Sequence, residues 1–457
     1  MGMIVHPPEL YPDEQINQDV LRPVFVTTWK WWILVAISGG GFMAGLATWF
    51  YMMATGMWVS GLHRPVMWGL FISNYVFWIG LSNSGTVISA MLRLSKADWR
   101  RPITRAAEAM TVFALLIAAQ FPLIHLGRTW LFYYILPYVN QRQLWNNFRS
   151  PLVWDMMAIM AYLGGSILYL YLPTVPDFAI LRDHAEGIKK KMFTLFALGW
   201  RGTRREWTTL NACILSLALL VLPVAVSMHT IVSWDFGMTL VPLWHTSIFG
   251  PYFVIGALYS GMALVITIIL ILRWAFGWQK YITPFHLDKL GKIMLVAALV
   301  WFYLWFNDYI TAWYGKLPDE KIIFDIKNAG PFYWWQMTMM LSNTMVALPL
   351  LAFKKFRTSP WAMFILTIFI NIGMWIERLL IVVPSLVQKG PSFTWTTYHP
   401  TWVEWMLTVY PLAGFTVLYL LFVKVAPLIS VWEIREDKVA CATKKMGQAE
   451  LRAVVAE

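Results

Sequence analysis

About ten stretches of roughly twenty mostly apolar residues, each long enough to cross a bilayer as a helix, divide this chain along its length. They fall near residues 30–53, 67–92, 106–126, 151–172, 208–232, 248–273, 290–312, 332–352, 361–384 and 401–424. A backbone crossing hydrocarbon must satisfy its own hydrogen bonds, so serial runs of this length leave an α-helical bundle as the only fold open to them. Hydrophobic residues make up 59% of the chain and charged residues 13%, well below the roughly 25% charged content of a soluble domain. No segment between the runs is long enough to form a domain. The expected organisation is an N-terminal segment 1–29, a membrane domain 30–424 and a C-terminal tail 425–457. The fold class is an all-α integral membrane protein.

The net charge of +12 does not point to nucleic acid, because the basic residues lie in short clusters between the apolar runs rather than in one basic face. Arg93, Lys96, Arg100, Arg101 and Arg105 follow the second run, and Arg182, Lys189, Lys190, Lys191, Arg201, Arg204 and Arg205 follow the fourth. Arg273, Lys280 and Lys289 follow the sixth, and Lys354, Lys355 and Arg357 the eighth. Connections after the odd runs carry far fewer, which places both termini in the cytoplasm by the positive-inside bias. The first 25 residues are polar and acidic, with no apolar core of a signal peptide. The longest connection holds IKKKMFTLFALGW, expected as a helix lying at the membrane surface. The two cysteines, Cys213 and Cys441, form no CxxC pair, and iron–sulfur clusters need several thiolates.

Ionisable groups within the runs are costly and mark candidate function. His125 ends the third run, where Pro122 should bend the helix. Asp155 opens the fourth, behind Ser150 as N-cap and Pro151 at the first helical position. His229 and Asp235 close the fifth, and Arg378 lies in the ninth beside Glu377. Adjacent residues diverge on a helix, so Arg378 is expected to seek Asp155 or Asp235 rather than Glu377. Each residue also has a structural reading, as an interfacial histidine, a dipole-favoured or solvated carboxylate, or an ion pair. Five such groups from four runs, all toward the outer face, argue for one site. Glu377, Ser82, Ser84 and Asp308 can extend a proton path inward. Three chemistries suit the set: a quinol pocket, with a His and an Asp as proton acceptors; an ion or proton carrier; and a haem held by His125 and His229.

The segments LHRPVMWGLFISNYVFWIGLSNSGTVISAMLRL, WRRPITRAAEAMTVFA, FPLIHLGRTWLFYYILPYVNQR and NFRSPLVWD resemble the NrfD/polysulfide-reductase membrane-subunit family, and within it most the ActC subunit of bacterial alternative complex III. The likeness covers roughly residues 20–430. It implies two four-helix bundles, spans two to five and six to nine, flanked by the first and last helices. It implies a menaquinol pocket near the outer face, with His125 and Asp155 at the quinol head and Asp235, Arg378 and His229 in support. It further implies a bacterial cytoplasmic membrane, with three kinds of partner: an iron–sulfur subunit, cytochrome subunits of the c type and a related NrfD-like membrane subunit. The chain would then carry no iron–sulfur cluster or haem of its own. The alternative within the family is the membrane anchor of a molybdenum reductase such as polysulfide reductase. Thr129 departs from the proline that many members carry after HLGR.

Overall fold

A computed structural model describes residues 13–137, 150–440, 443–446 and 449–452; Cys441 and residues 1–12 of the N-terminal segment lie outside them. An amphipathic α1 (Asp13–Phe25) precedes α2 (Trp29–Thr55), α3 (Leu70–Leu94), α4 (Thr104–Ala118), α5 (Gln120–His125), α6 (Pro151–Tyr171), α7 (Val175–His184), α8 (Gly187–Phe196) and α9 (Arg204–Gly237). The second half holds α10 (Phe249–Ala275), α11 (Pro284–Gly315), α12 (Pro318–Asn328), α13 (Tyr333–Met340), α14 (Ala347–Ala352), α15 (Lys354–Arg357), α16 (Pro360–Val387), α17 (Trp402–Phe422) and α18 (Val431–Ala440). In the tail, Thr443–Met446 pairs antiparallel with Ala449–Arg452.

Nine helices among the described residues are long and apolar enough to cross a membrane. The tenth expected run, near 332–352, is helical too. It is interrupted by a π-helical turn at Leu341–Val346 between α13 and α14, so no unbroken α-helix covers it. Pro122 has the expected effect. It has no N–H for the carbonyl four residues back, and the helix breaks at Ala119 between α4 and α5. Ser150 is a correction: Pro151 opens α6, but the Ser150 side chain makes no capping bond. The IKKKMFTLF piece forms α8, with Phe193 buried, Ile188 exposed and Lys189 over the Phe25 ring of α1.

The helices pack as two rings. In the first, α3 packs on α4 and α9, α6 joins α4 to α9, and every helix faces a shared interior. In the second, α10 packs on α11 and α16, and α13–α14 closes against both. Helix α3 also packs along α10, joining the rings, while α2 pairs with α17 on the outside. The most apolar stretch of α3 is 89% buried, whereas those of α2 and α11 are 17% buried, which makes α3 the centre of the molecule. Trp29, Trp361 and Trp402 stand exposed in the first turns of α2, α16 and α17, the place aromatic rings take at a membrane–water interface.

Close approach sets the position of α3. A Cβ on Gly85 would collide with the Ala107 carbonyl of α4, and one on Gly261 would meet the Ser84 hydroxyl at 2.5 Å. Small residues bring backbones together where apolar burial gives no driving force between helices.

At the basic end, the arginines counted as loop charges turn inward. Arg105 is buried within α4 and pairs with Asp177 of α7. Arg93 and Arg100 both pair with Glu433 of α18, Arg100 at 3.0 Å. Burial opposes ionisation of Glu433, but Arg100 and Arg93 outweigh it and hold the carboxyl below its usual range. Asp177 also accepts the backbone N–H groups of Val431 and Trp432 at 3.3 Å. These bonds anchor α18 to the first ring.

Replacing Gly85 by Ala is expected to cost about 3 kcal/mol or more, because the clash is with backbone rather than a flexible side chain. Thermal unfolding in detergent measures it. Wild-type stability would show that α3 and α4 separate freely.

Candidate functional site

Four helix ends meet at the end of the first ring opposite α18. Tyr75 lies in the second turn of α3, His125 is the last residue of α5, Asp155 lies in the second turn of α6, and Asp235 is near the end of α9. They line one cavity of about 220 Å³, walled by Ile72, Pro122, Leu126, Ile135, Leu152 and Met156. Trp68 and Phe236 close one side, where Trp68 stacks on Trp244 at 5.5 Å and Phe236 meets Trp244 edge-on at 4.9 Å.

Polar atoms in this cavity are under-satisfied. The Tyr75 hydroxyl donates to Asp155 Oδ2. Asp155 Oδ1, Asp235 Oδ1 and His125 Nδ1 are buried, with no hydrogen-bond partner. An unsatisfied buried polar group costs about 1–3 kcal/mol, and native interiors hold few of them. Three of them converge on one apolar cavity, where the hydroxyl or carbonyl groups of a ligand would satisfy them.

The remaining expected residues go elsewhere. His229 does not line the cavity. Its Nε2 lies 3.1 Å from the Ile79 carbonyl and its Nδ1 3.3 Å from the Ala225 carbonyl; with its hydrogen on Nε2 the ring donates across to α3 and ties α9 to it. Arg378 is a correction. It pairs with Glu377, with Nη1 3.0 Å from Oε2, and lies over the Phe253 ring at 5.0 Å. Neighbouring side chains leave a helix in different directions, but two long ones can curl back until their ends meet. Inside a bilayer that pairing is cheaper than leaving a charge alone. Among the described residues, Asp155 and Asp235 therefore have no arginine between them.

The suggested inward path also divides. Ser82 donates to the Ile79 carbonyl at 2.6 Å within α3. Ser84 points the other way, to the Ala257 and Leu258 carbonyls of α10 at 2.9 Å. Glu377 and Asp308 belong to the second ring, where Tyr252 and Trp301 face Glu377, and Lys327 and Thr246 face Asp308. Tyr75 escaped the sequence reading because a neutral phenol among 19 tyrosines carries no charge signal. Its spacing from Ser82, Thr86 and Ser89 was the available clue.

Comparison with known proteins fits this geometry. The family model for polysulphide reductase NrfD matches residues 58–389. This chain belongs to that family. It is similar to the membrane C subunit of a putative dimethyl sulfoxide reductase from Halobacterium salinarum, 24% identical over 80% of this chain and 84% of that protein. It is also similar to the C subunit of a selenate reductase from Mesobacillus selenatarsenatis, 22% identical over 85% of this chain and 92% of that protein. The matched NrfD region runs from the loop before α3 to just past α16 and contains every residue of the cavity.

Changing Tyr75 to Phe removes only the donor to Asp155 and leaves the carboxyl with neither oxygen bonded. Stability is expected to fall by about 1–3 kcal/mol, read as a lower unfolding midpoint in detergent. An unchanged midpoint would show that this hydrogen bond does not hold Asp155.

Proposed function

We propose that this chain is the quinol-binding, quinol-oxidising membrane subunit of a multisubunit oxidoreductase. The observation that carries the reading is the set of three unpartnered polar atoms, on His125, Asp155 and Asp235, around one apolar cavity. A quinol head group presents two hydroxyls on a flat apolar ring. The cavity volume suits the head, and the long tail would run out between helices into lipid.

In this reading His125 Nδ1 accepts the hydrogen of one hydroxyl and Asp155 Oδ1 accepts that of the other. The Tyr75 hydroxyl holds Asp155 in place by occupying its second oxygen. Asp235 adds a second carboxylate on the same wall, without a compensating cation among the described residues. Two acceptors on opposite helices match the two protons a quinol loses on oxidation, and positioned acids and bases of this kind contribute about 10²–10⁴-fold in rate. The two electrons leave for an acceptor in a partner, an iron–sulfur protein by analogy with the family. The site then lies toward the outer face of a bacterial cytoplasmic membrane, with both termini inside and residues 30–424 forming the membrane domain.

Two kinds of complex suit such a chain. One is alternative complex III, with menaquinol as donor, cytochrome subunits of the c type and a second NrfD-like protein. The other is a reductase of the molybdenum type; both relatives are named as reductase subunits. The proteins that co-purify with the chain separate the two.

The test is quinol oxidation by the purified complex carrying Asp155→Asn or His125→Ala, with the presence of every subunit verified on a gel. A loss of about 100-fold or more in a fully assembled complex is the expected result. Full activity would move quinol chemistry out of this cavity and favour a translocating role without it.

A further inference from the structure

Helices α3 and α6 run in parallel from the cavity, and their polar residues keep one register. Tyr75 bonds Asp155, and the Tyr162 phenol lies 3.5 Å from the Ser82 backbone carbonyl, both pairs 80 residues apart. The same offset relates Thr86 to Ser166 and Ser89 to Tyr169. On each helix these positions are separated by 7, 4 and 3 residues, a spacing that returns to one face of an α-helix. From Asp155 to Tyr169 the stripe rises about 21 Å, at about 1.5 Å per residue, against a hydrocarbon thickness of roughly 30 Å.

Helix α4 completes the column. Thr111 Oγ1 accepts the Thr86 N–H at 2.8 Å, and Glu108 Oε1 accepts the Ser89 hydroxyl at 2.5 Å. The Tyr162 phenol donates to the Asn83 carbonyl at 3.1 Å and faces the hydroxyls of Thr86, Ser166 and Thr111. Tyr169, Arg93, Arg105 and Glu433 all face Glu108. His229 of α9 reaches across to the Ile79 carbonyl of α3.

Four atoms of this column, Asn83 Oδ1, Thr86 Oγ1, Ser166 Oγ and Tyr169 OH, are buried without a hydrogen-bond partner. Packing alone would be served better by Ala or Leu, since each such group costs about 1–3 kcal/mol. Interior polar groups of this kind are met by ordered water. A file of hydroxyls ending in a carboxylate that bonds a serine is suited to passing protons.

We propose that this column conducts one of the two quinol protons from Asp155 through the first ring to Glu108, and out at the end closed by α18, while the proton taken by His125 leaves at the cavity end. The inference rests on the quinol reading of the cavity. The balance is one quinol oxidised to quinone, two electrons passed to the partner's acceptor, and one proton released at each face.

The experiment uses the whole complex in liposomes, a water-soluble naphthoquinol as donor and ferricyanide as acceptor, with pH dyes inside and outside. Wild type is expected to release one proton per quinol at each face. Glu108→Gln should lower turnover at least tenfold with KM for the quinol unchanged, and its residual turnover should release both protons at the cavity face. Glu108→Asp should restore most of the rate. Ser166→Ala, which breaks no hydrogen bond of the fold, should slow release at the α18 end alone. Wild-type release of both protons at one face, or a Glu108→Gln complex with wild-type rate and proton split, overturns the column. A wild-type complex that neither binds nor oxidises the quinol overturns the cavity reading instead, so the two failures are distinct.

Discussion

Hydrocarbon offers no water to a polar group, and this constraint organises the whole molecule. Several arginines that enter the helical region are met by a carboxylate of the protein. Arg105 meets Asp177, Arg93 and Arg100 share Glu433, and Arg378 folds back on Glu377. A buried ion pair is weak evidence of net stability, but breaking one is costly because the survivor is left uncompensated. The pairs of Arg105, Arg93 and Arg100 therefore act as fixed points that hold α7 and α18 against α3 and α4.

Against that background the cavity at the opposite end stands apart. Among the described residues no arginine pairs with its two carboxylates, and Asp155 Oδ1, Asp235 Oδ1 and His125 Nδ1 lack a hydrogen-bond partner. The contrast within one chain is more informative than any of the residues alone. The arginines named above meet carboxylates, whereas the open oxygens and nitrogen of the cavity are the atoms that the quinol reading proposes to fill. The apolar wall and the tryptophan–phenylalanine cluster lower the local dielectric and strengthen whatever bonds a ligand makes there.

The central position of α3 gives the two rings a common element. Its first turns supply Tyr75 to the cavity, its middle lines the interior with hydroxyls, and its last turn delivers Arg93 to Glu433. Close contact at Gly85 and Gly261 leaves little freedom for this helix to slide. A helix so fixed can hold a line of hydrogen-bonding groups in register with a neighbour over most of the membrane. The NrfD family match covers this helix entirely.

Much of this was legible in the residues themselves. Apolar runs of bilayer length, broken by basic clusters, dictate membrane helices because an unpaired backbone cannot exist in lipid, and His125 and Asp155 were visible because a charge there is expensive. The sequence could not show who meets whom. It counted Arg105 as a loop charge, because helix ends are invisible where apolar and polar residues mix, and it sent Arg378 to a distant carboxylate, because side-chain reach is not encoded in spacing. Tyr75, Glu108 and the shared register of α3 and α6 are neutral or unremarkable one by one. Only the packing of four helices into a ring, decided by close contacts between residues far apart in the chain, places them in line.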